Sequence, residues 1–455
     1  MRILLFIVYS LWTIPQFTHT EPLHLVWMMS TDQENISVPQ PGKKYYGDSK
    51  GPRIELFIPQ PIGIEEMSLY EYIMVLSEEQ TLAIGALYQQ YLIDEGTLRS
   101  NHLIPLWEQS SAAAAGPFYR VPGGDRLCRK LRTDRQRVLG LLSNHDDELF
   151  NRIQSVLDES QLLLLDRVRK QRVRIRAKSS TSYEIPGSDV DMVFLLSMLQ
   201  WQNNLDPSLI GNGLREFVNL YEESATSLFR DYAYEDQNAS YRCSMMDCVY
   251  LQGEANADLD EDPEVREAKS IKHSEQRRTT LRLPVPIAIR LAELNRKFMY
   301  LFASELDEPF RSQFLQIARH EICAAIYDDP FELSSLLWEL STLELLSNDQ
   351  IDSLANITNT YHTKRKSIEN IMMDKFVAYK KVWKETYSKG PDAKMAIFEQ
   401  INGLDQQRLK NAQDTLKQIR ELLTEEQRRA VEGSLKEAET QMKQPIVPFN
   451  KRVHL

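Results

Sequence analysis

The chain has 455 residues, of which 42% are hydrophobic and 26% are charged. This composition is typical of a folded globular protein and excludes an intrinsically disordered one, and the length allows two or three ordinary domains. The formal net charge of −11, from 54 basic and 65 acidic residues, argues against nucleic acid or an anionic membrane as a partner of the whole protein.

The first twenty residues have the three parts of a secretory signal peptide. Arg2 gives a basic start, an apolar run covers 3–12, and the small residues Thr18 and Thr20 precede a cleavage site. The run is too short to span a bilayer, and the alternatives are an uncleaved anchor or a buried N-terminal helix. We therefore predict a signal peptide at 1–20 and an exported protein, periplasmic or extracellular, with no transmembrane segment after signal removal.

The rest of the chain alternates between stretches with helical periodicity and stretches rich in proline, glycine or charge. We expect an all-α fold in which duplicated helical-hairpin modules are joined by irregular linkers. The predicted divisions are an irregular leader at 21–62, a first helical module at 63–178, a helical connecting region at 179–233, an acidic irregular linker at 234–283, a second helical module at 284–443 and a C-terminal tail at 444–455.

A pentapeptide of the form Leu-[Ser/Thr/Asp]-x-x-Gln occurs four times. Its key residues are Leu76, Ser77 and Gln80; Leu157, Asp158 and Gln161; Leu346, Ser347 and Gln350; and Leu423, Thr424 and Gln427. The Ser, Thr or Asp at the N-cap accepts a hydrogen bond from the first helical turn, and the Gln reaches back to the backbone N–H of the cap. Each motif therefore predicts that one helix ends and another begins.

The spacing of the four motifs predicts an internal duplication. The first two begin 81 residues apart and the last two 77 residues apart. Apolar or aromatic residues follow Gln80 and Gln350 at matching offsets, so that Tyr91 and Tyr361 take equivalent positions. Helical spacing alone indicates only amphipathic helices, but motif, offset and separation coincide here.

The motif resembles the Leu-Thr-x-x-Gln helix starts of the Spy/CpxP family of periplasmic helical proteins. Leu423–Gln427 has that form in full, and Leu76–Gln80 has it with Ser in place of Thr. Family members are small, curved helical-hairpin dimers, some of which shield unfolding clients or take part in envelope stress and metal responses. This chain departs from them in its length, its acidic charge and its four motifs in one polypeptide, and as a whole it looks similar to large exported bacterial proteins that reuse the motif.

The resemblance and the motifs together lead to three functional hypotheses. The first is a non-enzymatic helical protein that binds unfolded proteins or peptides in the cell envelope in a chaperone-like manner, without a cofactor. The second is a structural scaffold that associates with copies of itself. The third and most remote is a metal-dependent, nucleotidyltransferase-like enzyme.

The enzyme hypothesis depends on Gly187-Ser188-Asp189-Val190-Asp191, which resembles the Gly-Ser and Asp-x-Asp elements that hold magnesium in nucleotidyltransferases. In that family a spacer separates the two elements, whereas here they overlap. We favour Ser188 as an N-cap with Asp191 at the third helical position. Similarly, His320-Glu321 begins like a zinc-protease helix but lacks the second histidine. We therefore predict no catalytic residue and no metal ligand.

Two periodic stretches have a structural and a functional interpretation. The basic run consists of Arg167, Arg169, Lys170, Arg172, Arg174, Arg176 and Lys178. It could bind an anionic surface, but we favour the solvated face of a helix with acidic neighbours. The spacing of Leu409, Ala412, Leu416, Ile419 and Leu423 indicates a short coiled-coil seam, for which we favour an intramolecular hairpin.

The four cysteines are Cys128, Cys243, Cys248 and Cys323. Cys243 and Cys248 are close together in a segment without clear periodicity, which favours a local disulfide in an oxidising compartment. Three full pairings of four cysteines remain open. Structural thiols are favoured over a zinc site, because the spacing of zinc ligands is missing.

Overall fold

The structure, a computed structural model, describes residues 59–106, 108–109, 124–179, 185–205, 211–255, 262–327, 331–385 and 390–452. Within these ranges the ordered elements are helices, and no strand is formed. The predicted all-α class is therefore confirmed. The predicted signal peptide at 1–20 and nearly all of the predicted leader lie outside the described residues.

The first part of the chain folds into helices of very different lengths. They are α1 (Ile64–Met74), α2 (Glu78–Leu98, extended by a π-turn at Arg99–Leu103), α3 (Gly124–Gln154), α4 (Glu159–Ser179), α5 (Met192–Gln202), α6 (Asn212–Ala255) and α7 (Pro263–Leu281). The second part continues with α8 (Val285–Ser304), α9 (Phe310–Tyr327), α10 (Ser334–Ser341), α11 (Asn348–Glu385), α12 (Gly390–Leu422), α13 (Glu425–Ala430), α14 (Glu432–Met442) and α15 (Phe449–Arg452).

The acidic segment 234–283 was predicted to be an irregular linker, and this prediction is wrong over the described residues. The segment contains the second half of α6 and all of α7. Asp262 caps α7 through a hydrogen bond from the Glu264 N–H, and Pro263 occupies its first turn. Residues 256–261, which hold most of the acidic run, lie outside the described residues. Charged residues are compatible with a helix when they are exposed to solvent, as they are along α7.

The helical state of this segment also corrects the cysteine prediction. Positions 243 and 248 lie on the same helix, α6, and five residues along an α-helix turn about 140° around its axis. Cys243 is a buried thiol whose Sγ lies 3.6 Å from the carbonyl oxygen of Arg277, so the predicted disulfide with Cys248 is not formed.

Two clusters of buried apolar side chains pack the helices together. The first cluster collects side chains from α4, α5, α6, α8, α9, α11, α12 and α15, and includes Phe302, Phe314, Phe376 and Phe398. The second cluster collects side chains from α10, α11, α12 and α14 and includes Tyr361. The region 284–443 therefore supplies all the buried side chains of the second cluster and shares the first cluster with α4, α5, α6 and α15.

The seam predicted at the end of α12 packs within the chain. Ala412, Leu416, Ile419 and Leu423 are buried in the second cluster, and Leu409 packs against it. This agrees with the intramolecular hairpin that the spacing favoured. Among the described residues, no helix is both long enough and apolar enough to cross a membrane.

Candidate functional site

The first two pentapeptide motifs meet at one junction, where their glutamines bind each other. Gln80 Nε2 donates to Gln161 Oε1 at 2.8 Å, and Gln161 Nε2 donates to Gln80 Oε1 at 3.0 Å. Each amide also donates across to the end of the helix that precedes its partner. Gln80 reaches the carbonyl of Val156, and Gln161 reaches the carbonyls of Met74 and Val75.

The last two motifs form a second junction with the same pattern. Gln350 Nε2 donates to Gln427 Oε1 at 2.9 Å, and Gln427 Nε2 returns a bond to Gln350 Oε1 at 3.0 Å. Gln350 also reaches the carbonyl of Leu422, and Gln427 reaches that of Leu345. We call these two arrangements the glutamine junctions, the first formed by Gln80 and Gln161 and the second by Gln350 and Gln427.

The capping boxes predicted from the sequence hold these glutamines in place. The side chains of Ser77, Ser347 and Thr424 each accept the N–H of the glutamine three residues later, and that glutamine accepts the N–H of the cap. At the remaining motif, Gln161 Oε1 accepts the N–H of Asp158 at 2.9 Å. Each glutamine thus caps its own helix start and also binds the opposite one, a role for which a primary amide has both donors and acceptors.

Exposed aliphatic side chains lie close in the chain to the glutamines of both junctions. Val75 and Leu345, whose carbonyls accept the bonds from the opposite glutamine, leave about half of their surface exposed, as does Ile351. Two residues beyond the glutamines of the first junction, Leu82 is 70% exposed and Leu163 is 78% exposed. Single exposed aliphatics are common on protein surfaces, but their concentration at rigid helix ends marks a candidate binding surface.

A recurrent tyrosine contact ties three short helices, α1, α5 and α10, to the long helices that follow them. The hydroxyls of Tyr91, Tyr221 and Tyr361 accept the backbone N–H groups of Ile62, Met192 and Leu333, at 3.1, 3.0 and 3.0 Å. All three tyrosines are almost completely buried. The matching offsets of Tyr91 and Tyr361 were visible in the sequence, whereas the third case, Tyr221, follows no pentapeptide motif and was missed.

A buried ion-pair network surrounds Tyr91 in the first of these contacts. Asp146 accepts the Tyr91 hydroxyl at 2.8 Å and the Arg172 guanidinium at 2.7 Å, and Arg172 also binds Glu66 at 3.1 Å. Burial raises the pKa of the Glu66 carboxyl, although the Arg172 charge opposes that shift. Burial also raises the pKa of Tyr91, helped by the negative charge of Asp146, so Tyr91 remains a neutral phenol. In this network Asp146 and Arg172 are buried and Glu66 is partly buried, and their ion pairs join α1, α3 and α4.

The corresponding position on α11 carries a similar ion pair with the charges exchanged. Along α2, Tyr91 is followed at four-residue steps by Glu95 and Arg99, which pair at 2.7 Å. Along α11, Tyr361 is followed by Arg365 and Glu369, which pair at 2.6 Å. Residues four apart face the same side of a helix, so either order of charges neutralises the buried pair.

Two arginines of the basic run on α4 point into the interior. Arg174 is fully buried, with its Nε 2.7 Å from Asp191 and its guanidinium 3.8 Å from Glu222. Arg172 belongs to the network around Tyr91, and Arg167 lies 3.5 Å from Glu222. The expectation of a solvated face is therefore wrong for the two buried arginines, although their pairing with acidic neighbours is as predicted.

The Gly187–Asp191 segment is a helix entry, but its cap is not the predicted one. Helix α5 begins at Met192, and Asp191 is the N-cap, accepting the N–H groups of Val193 and Phe194. The buried Ser188 hydroxyl instead donates to the carbonyl of Ile185 at 2.6 Å. Because Asp191 already carries two capping bonds and the Arg174 ion pair, the geometry gives no support to a two-carboxylate magnesium site.

The histidine of the His320-Glu321 motif lies on the surface of the molecule. His320 is exposed on α9, as the sequence favoured. In the part of the chain that the structure describes, no group of three or more His, Cys, Asp or Glu side chains could hold a metal ion.

The site is interpreted from its own geometry, because comparison with known proteins found no match. No protein-family model, no curated protein and no solved structure matches this chain. The resemblance to the Spy/CpxP motif therefore stays a prediction, and so does the internal duplication.

Proposed function

We propose that the protein binds apolar segments of unfolded polypeptides at its two glutamine junctions, as a non-enzymatic, chaperone-like protein of the cell envelope. The observation that carries this proposal is the placement of exposed aliphatic side chains at both junctions. Val75 and Leu345 hold the opposite glutamine with their carbonyls while presenting their side chains to solvent.

Rigid helix ends suit this function because the binding surface needs no ordering when a client arrives. The glutamine pair and the capping boxes restrain the backbone at each junction, so the aliphatic side chains are displayed at little further entropic cost. An unfolded client supplies extended apolar segments that gain from leaving water, at about 25 cal/mol for each Å² buried. The acidic surface of the protein would favour clients with basic residues beside their apolar segments.

The test is an aggregation assay with matched variants. A guanidinium-unfolded model enzyme is diluted into increasing amounts of the purified protein while light scattering is followed. We expect suppression near equimolar ratio, and a partial loss of suppression in the double variant Leu82→Ser/Leu163→Ser, which changes the first junction and leaves the second intact. The matched control is Val265→Ser/Ile271→Ser, which removes two exposed aliphatic side chains of α7, a helix that contributes no residue to the glutamine pairs or their caps.

Two results would contradict the proposal. One is no suppression by a protein whose circular dichroism shows it to be helical, and the other is equal suppression by the junction variant and the control. In the first case, light scattering of the protein alone tests the scaffold hypothesis. Self-association requires the average molecular mass of the protein to rise with its concentration.

A further inference from the structure

A cleft of about 280 Å³ lies away from both glutamine junctions, between the loop before α5 and helices α9, α11 and α15. Its apolar wall includes Ile322 and Phe376, and its polar lining includes Asp189, Lys380 and Arg452. The volume is close to the lower end of the range for small-molecule sites, which is about 300–1,000 Å³. The cleft thus has room for a small molecule with an apolar part.

The backbone of the cleft is held rigidly. Gly187 has a left-handed φ of 77°, and a Cβ there would lie 2.9 Å from Ile322 Cγ2, so the loop packs tightly on α9. The fully buried Asn295 donates to the carbonyls of Gly187 and Val190 at 2.7 and 2.6 Å. Opposite this loop, α9 is broken at Cys323, whose φ and ψ are −168° and 88°.

The charges of the cleft are arranged in two separate groups. Arg452 is neutralised by Asp405 and lies over the ring of Phe449, 5.3 Å from its centroid. Asp189 and Lys380, in contrast, have no oppositely charged group within 4.0 Å among the described residues, although both line the same cleft. A carboxylate and an ammonium group therefore face one cavity without pairing with each other.

Two charges of opposite sign that do not pair with each other, beside an apolar wall, match a ligand that carries both charges itself. We propose that this cleft binds a free α-amino acid with an apolar side chain, its carboxylate on Lys380, its ammonium on Asp189 and its side chain against Ile322 and Phe376. The binding is reversible and involves no covalent step. The inference is independent of the chaperone-like function, because the two sites share no residue.

The Cys323 thiol serves as an apolar part of this wall. Burial raises its pKa to about 11, against the opposing influence of the Ile326 and Ala325 N–H groups and of Arg452 and Lys380. At neutral pH the side chain is therefore an uncharged thiol, and it does not compete with a ligand carboxylate for Lys380.

The experiment is isothermal titration calorimetry of the full chain at pH 7 with four probes. L-leucine carries both charges and an apolar side chain, leucinamide lacks the carboxylate, N-acetyl-L-leucine lacks the ammonium, and glycine lacks the side chain. We expect L-leucine to bind and each of the other probes to bind at least about tenfold more weakly, since each loses one interaction.

Two variants test which charged side chain of the protein binds which charged group of the ligand. Lys380→Gln should remove the preference for L-leucine over leucinamide, and Asp189→Asn should remove the preference over N-acetyl-L-leucine. The control Lys364→Gln alters an exposed lysine of the same helix and should leave both preferences unchanged. A misfolded variant would weaken all probes together, whereas the expected pattern is specific to one probe.

Two outcomes would overturn the proposal. The first is the absence of binding heat for L-leucine with the unmodified protein at about 10 mM ligand, a concentration that would occupy most of even a millimolar site. The second is equal affinity for all four probes, or variants that weaken every probe equally, because recognition would then not involve the two charges.

Discussion

At the scale of single residues, the glutamine of each pentapeptide has two roles. Its carbonyl accepts the N–H of the N-cap residue, and its amide group crosses to the opposite helix end. A capping box is a local device that requires only one helix. The crossing bonds make the same side chain a tertiary contact, and Gln161 and Gln427 are accordingly almost completely buried.

Replacing Gln80 tests this double role. We expect Gln80→Ala to lower the free energy of unfolding by about 1–3 kcal/mol, because the N–H of Ser77 and the amide of Gln161 lose a partner. The measurement is urea unfolding followed by circular dichroism. The control Gln89→Ala changes an exposed glutamine of α2 and should stay within about 0.5 kcal/mol of the unmodified protein.

A second variant separates the cap from the crossing bonds. Gln80→Glu keeps an oxygen for the N–H of Ser77 but places a carboxylate oxygen near the carbonyl of Val156 and the side chain of Gln161. We expect it to destabilise the protein at neutral pH. If it were as stable as the unmodified protein, the crossing bonds would contribute nothing measurable.

At the scale of helices, the recurrent unit is a short helix whose start is bound by a tyrosine from the following long helix. The contact occurs at the starts of α1, α5 and α10. A buried helix start leaves backbone N–H groups without partners inside the helix, so a buried hydroxyl that accepts one of them removes a desolvation cost. The contact of Tyr221 at the start of α5 extends this pattern to a region that contains no pentapeptide motif.

The tyrosine of the middle region provides the test at this scale. Tyr221 accepts the N–H of Met192 and donates to Asn295 Oδ1 at 2.8 Å, and its side chain is fully buried. Tyr221→Phe leaves both groups unsatisfied, so we expect a loss of about 1–3 kcal/mol in the free energy of unfolding. The exposed Tyr234→Phe is the matched control. Equal stability of the two variants would contradict a capping role for Tyr221.

At the scale of the whole molecule, α11 and α12 connect the two buried clusters. Near its middle α11 contributes Tyr361 to the second cluster, and further along it contributes Phe376 to the first. Helix α12 contributes Phe398 to the first cluster and Ile419 to the second. A long helix transmits a packing change along its length, because its residues share one hydrogen-bonded backbone.

A cavity in the second cluster should therefore also destabilise the packing of the first cluster. We expect Ile419→Ala to lower the free energy of unfolding by about 2–5 kcal/mol, because Ile419 is fully buried. Hydrogen exchange should increase in α10 and α14 and also along α12 as far as Phe398. An increase confined to α10, α13 and α14 would show that the clusters unfold independently. Lys417→Ala, at an exposed position of the same helix, is the control.

Features that depend on near neighbours in the chain were determined by the sequence alone. The helical class follows from periodicity, and the starts of α2, α4, α11 and α13 follow from the capping motifs, since both are set within a few residues. The equivalence of Tyr91 and Tyr361 was visible for the same reason. Where local signals were weak, as in the charged segment of α6 and α7, the prediction was wrong, because packing decides whether such a segment is helical.

Features that depend on distant residues were decided only by the tertiary structure. The pairing of Gln80 with Gln161 joins side chains 81 residues apart, and Arg174 meets Asp191 inside the molecule rather than facing solvent. The cleft between Asp189 and Lys380 likewise joins segments nearly two hundred residues apart. No pattern along the chain encodes these distances, since they result from the way the helices pack around shared clusters of buried side chains.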